Sequence, residues 1–176
     1  MLFTEIIIEA APSAVRKAAV PFVLLQLAYF DQNTNPNQKF LDFAALPTYH
    51  TSFFQAITLP DGGNLSAQPG DHLTCTIDHI PYPAIVEVNE PSEFTWRGYF
   101  GWNWIFNGLH SFRFEPLAAA ASEEGAQERG QRTRLVHCEQ LGGLLAGALA
   151  LVGRQRMLAG FQRFNEDLKR YVEQQQ

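Results

Sequence analysis

The chain has 176 residues and a formal charge of −5, with 46% apolar and 18% charged residues. That length and composition suit one domain, residues 1–176, with a sizeable core. No basic excess is present, which argues against a nucleic-acid partner. Cys75 and Cys138 are the only cysteines and make neither a zinc spacing nor a disulfide framework. They read as free thiols in a reducing compartment, with a single bridge as the alternative.

Leu2–Glu9 is rich in Ile and Phe and reads as a strand that Glu5 and Glu9 keep from being a secretory signal. In "APSAVRKA" Pro12 marks a short helix start, with Ser13 as its expected cap. The apolar "AVPFVLLQLAYF" and the turn-prone "DQNTNPNQ" follow, and "KFLDFAALPTYHTSFFQAITL" then reads as short helix, proline break and strand. "GDHLTCTI", "AIVEVNE" and "EFTWRGYF" are short segments bounded by turn residues, as expected of successive antiparallel strands. In "GLHSFRFEPL" His110, Phe112 and Phe114 fall on one face. In "RTRLVHCEQL" Thr133, Leu135, His137 and Glu139 do the same.

From Gly143 to about Glu173 no proline occurs and apolar residues recur at helical spacing. A helix of that length is about 45 Å long and needs a large apolar partner, which the strands supply. The apolar run Leu141–Gly153 is too short to span a bilayer, so no stable membrane insertion is expected. The expectation is a soluble, cytoplasmic α+β domain: a strand, short helices, about six further strands and one long helix.

The segments "IIIEAAPSAVRK … FLDFAALPTYH", "FTWRGY", "GLHSFRFEP", "TRLVHCEQLGGLL" and "GFQRFNEDLKRYVE" resemble the SRPBCC or START-like superfamily. The closest likeness is to its polyketide cyclase/dehydrase-like members. The resemblance implies a helix-grip fold, in which about seven antiparallel strands curve round the C-terminal helix and two short helices close one end. It also implies a cavity for a hydrophobic ligand between sheet and helix. It carries no shared catalytic set. The sequence departs from the pattern at about residues 18–38, where relatives run almost directly from the first helix to a segment like "FLDFAALPTYH". Two readings stay open there: a lid over the cavity mouth, or an intron translated in frame.

Within that frame Trp96, Phe112 and Phe114 are expected to line the cavity, with Trp102 and Trp104 at its rim. On the long helix Phe161 and Phe164 read as core or cavity residues, and Asn165 as a polar contact. Arg156 reads as able to reach a ligand carboxylate. His110 reads either as a satisfied core histidine or as a hydrogen-bonding or acid/base group, with Tyr99 or Glu139 assisting in catalysis. An inward Glu139 must be paired or protonated, with Arg97 or His110 as partner. His50 is expected near the cavity mouth. His110, His137 and Glu139 could mimic a two-histidine, one-carboxylate site, but the spacing does not argue for a metal. No phosphate loop, nucleophile elbow, HExxH or dinucleotide fingerprint occurs, so no cofactor is expected. The leading expectation is a protein that binds a small hydrophobic molecule. The rivals are a cofactor-free cyclase or dehydratase, and a lipid carrier or interaction module.

Overall fold

A computed structural model describes residues 1–19, 46–59, 67–117 and 132–175. The departure at about residues 18–38, with both of its readings, lies outside the described residues apart from its first two positions. The described elements run β1 (Leu2–Ile8), α1 (Pro12–Ala19), α2 (Leu46–Tyr49), β2 (Phe54–Thr58), β3 (His72–Ile77), β4 (Ile80–Glu90), β5 (Glu93–Tyr99), β6 (Asn107–Leu117), β7 (Arg132–Gly142) and α3 (Ala146–Glu173).

The strands form one seven-stranded sheet in the order β1-β7-β6-β5-β4-β3-β2. Every neighbouring pair is antiparallel. Chain order is kept from β2 to β7, and β1 closes the far edge beside β7. Irregularities at Phe54/Ala56 and Val86/Val88 break the ladder locally, and such bulges bend and twist a sheet. The β3–β4 turn is tight, with Asp78 and His79 both at positive φ (50° and 68°). A two-residue hairpin turn of this hand matches the twist of its strands. Gln55 braces it from β2, its Oε1 accepting from the His79 amide at 2.6 Å.

Strand parity follows the sequence pattern. Phe94 and Trp96 of β5, His110, Phe112 and Phe114 of β6, and Leu135 and His137 of β7 are buried on the inner face. Arg97, Glu87 and Asn107 meet on the outer face, as do Arg134, Glu5 and Glu115. In α1 Pro12 is the first helical residue, where its missing N–H costs nothing. Ser13 therefore lies inside the first turn and is not the cap.

The helix α3 has 28 residues and two unlike halves. Gly160, Phe161, Phe164, Asn165, Leu168 and Val172 are its buried residues, all in the C-terminal half. Gly160 lets the helix lie flush on Phe53, whose ring occupies the space a Cβ would take. Before Gly160 nothing on α3 is buried, and Leu151 and Val152 are 86% and 87% exposed. The N-terminal half is held at its start by the β5–β6 loop. There the Leu144 and Leu145 amides donate to the Trp104 and Ile105 carbonyls at 3.0 Å each.

Candidate functional site

The inner face of the sheet has two ends of different character. Under the C-terminal half of α3 it is filled with rings. Phe54 of β2 meets His110, Phe112, His137 and Phe164 at centroid distances of 5.0 to 6.5 Å. Trp96 stacks on His110 at 4.6 Å, and Phe161 stacks on His137 at 4.2 Å. Alternation on β5 and β6 delivers one ring every second residue, β7 adds His137, and α3 delivers Phe161 and Phe164 from above at helical spacing.

A buried polar chain runs through these rings. Asn165 Nδ2 donates to Thr4 Oγ1 at 3.0 Å, which turns its Oδ1 toward His137 Nδ1 at 2.9 Å. His137 therefore carries its proton on Nδ1, and its Nε2 is bare. His110 then donates Nε2–H to it across 2.6 Å. Burial holds both histidines neutral: His137 drops to about 3, and His110, beside it, falls well below the ordinary range. The Nε2 of His110 is spent on His137, so only its Nδ1 remains as an acceptor.

Toward the N-terminal half of α3 the inner face thins. Gly98 of β5 and Gly108 of β6 replace rings, and Cys75 and Glu139 stand on the same face. The Glu139 carboxylate lies over Gly108, filling the place a Cβ would occupy. Its side chain keeps a narrow solvent edge while protein surrounds nearly all of it. Burial alone lifts its carboxyl to about 7. Among the described residues no hydrogen bond or ion pair reaches it. Burial, and then the charge of Glu139, push the Cys75 thiol up, so Cys75 stays a neutral thiol. Such an uncompensated carboxyl is costly to bury, which makes Glu139 a candidate site residue.

The other expected residues divide as follows. Arg97 cannot partner Glu139, because it lies on the outer face bonded to Glu87 and Asn107. Tyr99 has the same parity, on the face opposite to His110. His50 is not at a mouth: it is buried between α2 and α3, donating to Asp167 Oδ2 at 2.8 Å and accepting from the Phe53 amide at 3.1 Å. Arg156 pairs with Asp78 Oδ2 at 3.0 Å, a link from α3 to the β3–β4 turn. Trp104 and Trp102 are exposed on the β5–β6 loop beside the start of α3. His110, His137 and Glu139 do not converge. The histidines face each other, Glu139 turns to Gly108, and no three ligating groups gather among the described residues. Cys75 and Cys138 are both free and buried.

A surface cleft of about 390 Å³ between β1 and α3 is lined by Phe3, Thr4, Glu5, Ile6, Gln162, Asn165 and Glu166. Asn165 alone of the expected ligand contacts reaches it. The sequence reading missed Phe54, at the centre of the ring cluster, and Thr4 and Asp167, whose roles depend on partners more than a hundred residues away. Gly98 and Gly108 were visible in the strands as residues without side chains, a signal of close approach or of space.

No family model matches the chain, and no curated protein matches it. Solved structures do. A hypothetical protein from Helicobacter pylori is 16% identical with a TM-score of 0.63, covering 97% of this chain and 86% of its own. A norcoclaurine synthase mutant from Thalictrum, bound to a transition-state analogue, is 10% identical with a TM-score of 0.57, covering 99% and 94%. A START superfamily protein from Mycobacterium smegmatis is 11% identical with a TM-score of 0.56, covering 99% and 98%. With its seven antiparallel strands, short N-terminal helices and long C-terminal helix, the chain has the helix-grip fold of these START-like structures.

Proposed function

We propose that this protein binds a small hydrophobic molecule between the sheet and the N-terminal half of α3. One observation carries the reading: along the inner face, rings give way to Gly98, Gly108 and Glu139 where α3 stops burying residues. The ring-filled end behaves as a solid core and holds the fold. At the thinned end α3 brings only partly buried side chains such as Met157 and Leu158, and ligand sites combine apolar walls with a few placed polar groups. Trp96 and Phe161 then stand at the boundary, as the inner wall of the site, while Phe112, Phe114 and Phe164 lie deeper. The helix-grip neighbours add support at the level of fold alone. Native mass spectrometry of the purified protein, with extraction of retained molecules, tests this directly. A bound apolar molecule is expected. No retained molecule, together with no saturable uptake of an apolar fluorescent dye, overturns it.

A second reading, a cofactor-free cyclase or dehydratase acting on a polyketide-like substrate, draws on the carboxyl of Glu139. A group titrating at about 7 is matched to acid/base work at neutral pH, whereas His110 is committed to His137. Turnover abolished in Glu139→Gln with binding kept would favour the enzyme. Turnover retained in that variant removes Glu139 from the chemistry.

A further inference from the structure

We infer that Glu139 anchors the ligand and that the ligand is an apolar molecule bearing a cationic amine; this rests on the binding reading above. The carboxylate is aimed onto the inner face of the sheet, over Gly108, and meets no donor among the described residues. A glycine at 108 is what leaves it room, since a Cβ there would collide with the carboxylate oxygen.

The groups around it supply no counter-charge. From β3 comes Cys75, held as a neutral thiol, and from β4 Tyr82, whose phenol burial pushes up. From β6 comes His110, directly opposite Glu139 in the register and held neutral. β5 presents Trp96 and Gly98, and β1 presents Leu2, beyond which the amino group of the exposed Met1 makes no ion pair with Glu139. Arg156 of α3 is already neutralised by Asp78 of the β3–β4 turn. The inner face at this end therefore carries one net negative charge when Glu139 ionises. A monocation with three N–H donors complements it, and a charge-assisted hydrogen bond in a poorly hydrated place outweighs a neutral one. A ligand carboxylate would be repelled, and a plain hydrocarbon would leave the carboxylate unsatisfied.

Displacement of N-phenyl-1-naphthylamine, a neutral apolar dye, by 2-(1-naphthyl)ethylamine and by its neutral isostere 2-(1-naphthyl)ethanol tests this. At about pH 8 the amine is expected to bind wild type about tenfold tighter than the alcohol. Glu139→Gln should bring the two to equal affinity. Gly108→Ala, which displaces the carboxylate without removing its charge, should weaken the preference too. The amine stays protonated as pH falls, so its affinity should drop by about tenfold from pH 8 to pH 6 as Glu139 takes up its proton. The alcohol should change little. If wild type binds the dye but does not prefer the amine, or if Glu139→Gln keeps the preference, the anchor is refuted and the binding reading stands. If wild type takes up no dye at all, the binding reading itself falls, and the anchor with it.

Discussion

Replacing Glu139 with Gln should steepen the loss of stability in acid, and the size of the change follows from Glu139 itself, set against buried histidines. His137 falls from 6.5 to about 3 on folding and burial lowers His110 as well, so below pH 6.5 the unfolded chain binds protons at these histidines that the fold disfavours. Glu139 rises from 4.5 to about 7, so over the same window the folded chain binds one proton that the unfolded chain does not. A group whose folded value is depressed gives stability above its unfolded value and loses it as pH falls. A group whose folded value is raised gives its full stability at low pH and loses it as pH rises. The two effects oppose each other, and removing Glu139 leaves the histidines unopposed. Each proton is worth about 1.4 kcal/mol per pH unit. Between pH 6 and pH 5 Glu139→Gln should therefore lose about 1.4 kcal/mol more than wild type. His50, also depressed by burial, adds the same amount to both proteins and cancels. Above the Glu139 transition the variant should be the more stable protein, by about 3 kcal/mol at about pH 8, because no charge is then buried unpaired. Urea unfolding at fixed pH from about 5 to about 8 reads all of this. Parallel acid limbs in the two proteins would show that Glu139 ionises normally in the fold, and the case for a strained carboxyl at the site would collapse.

Other consequences are simpler to test. Gly160→Ala places a methyl group into the ring of Phe53, which packs against Phe54 and Phe161, and should cost about 1–3 kcal/mol by thermal unfolding; an unchanged midpoint would mean that α3 does not lie flush there. Asn165→Leu removes the acceptor for His137 Nδ1–H and the donor to Thr4, so a loss of about 1–3 kcal/mol is expected, along with a moved His137 resonance in NMR. If that resonance stays in place, the buried chain is wrongly drawn. Phe54→Ala should cost about 3–5 kcal/mol, since the ring meets His110, His137, Trp96, Phe112 and Phe164 at the centre of the cluster. A loss below about 1 kcal/mol would place the true core elsewhere.

Much of the architecture was legible in the chain because strand and helix periods are local properties. Two-residue alternation put His110, Phe112 and Phe114 on one face and Arg113 on the other, and the same rule oriented Thr133 through Glu139. The proline-free, Leu- and Ala-rich run ending at Glu173 announced α3, whose length a local pattern sets as well. Parity alone also put Glu139 on the same face as His137. Ser13 shows the margin of error, since a turn or cap shifts by one residue without altering the periodic pattern.

Partners could not be read in this way, because they are chosen by chain segments far apart in sequence. Asn165 satisfies His137 from another element, Asp167 meets His50 across 117 residues, and Arg97 turns to Glu87 because both sit on the outer face. Periodicity could place Glu139 on the same face as His137, but only the packed structure leaves it without a partner among the described residues, beside a glycine and near the half of α3 that buries no residue fully. Parity is dictated by bond geometry within each strand. Whether an inward carboxyl is paired depends on which side chains the other strands and the helix deliver, and that is decided only when the sheet closes on α3.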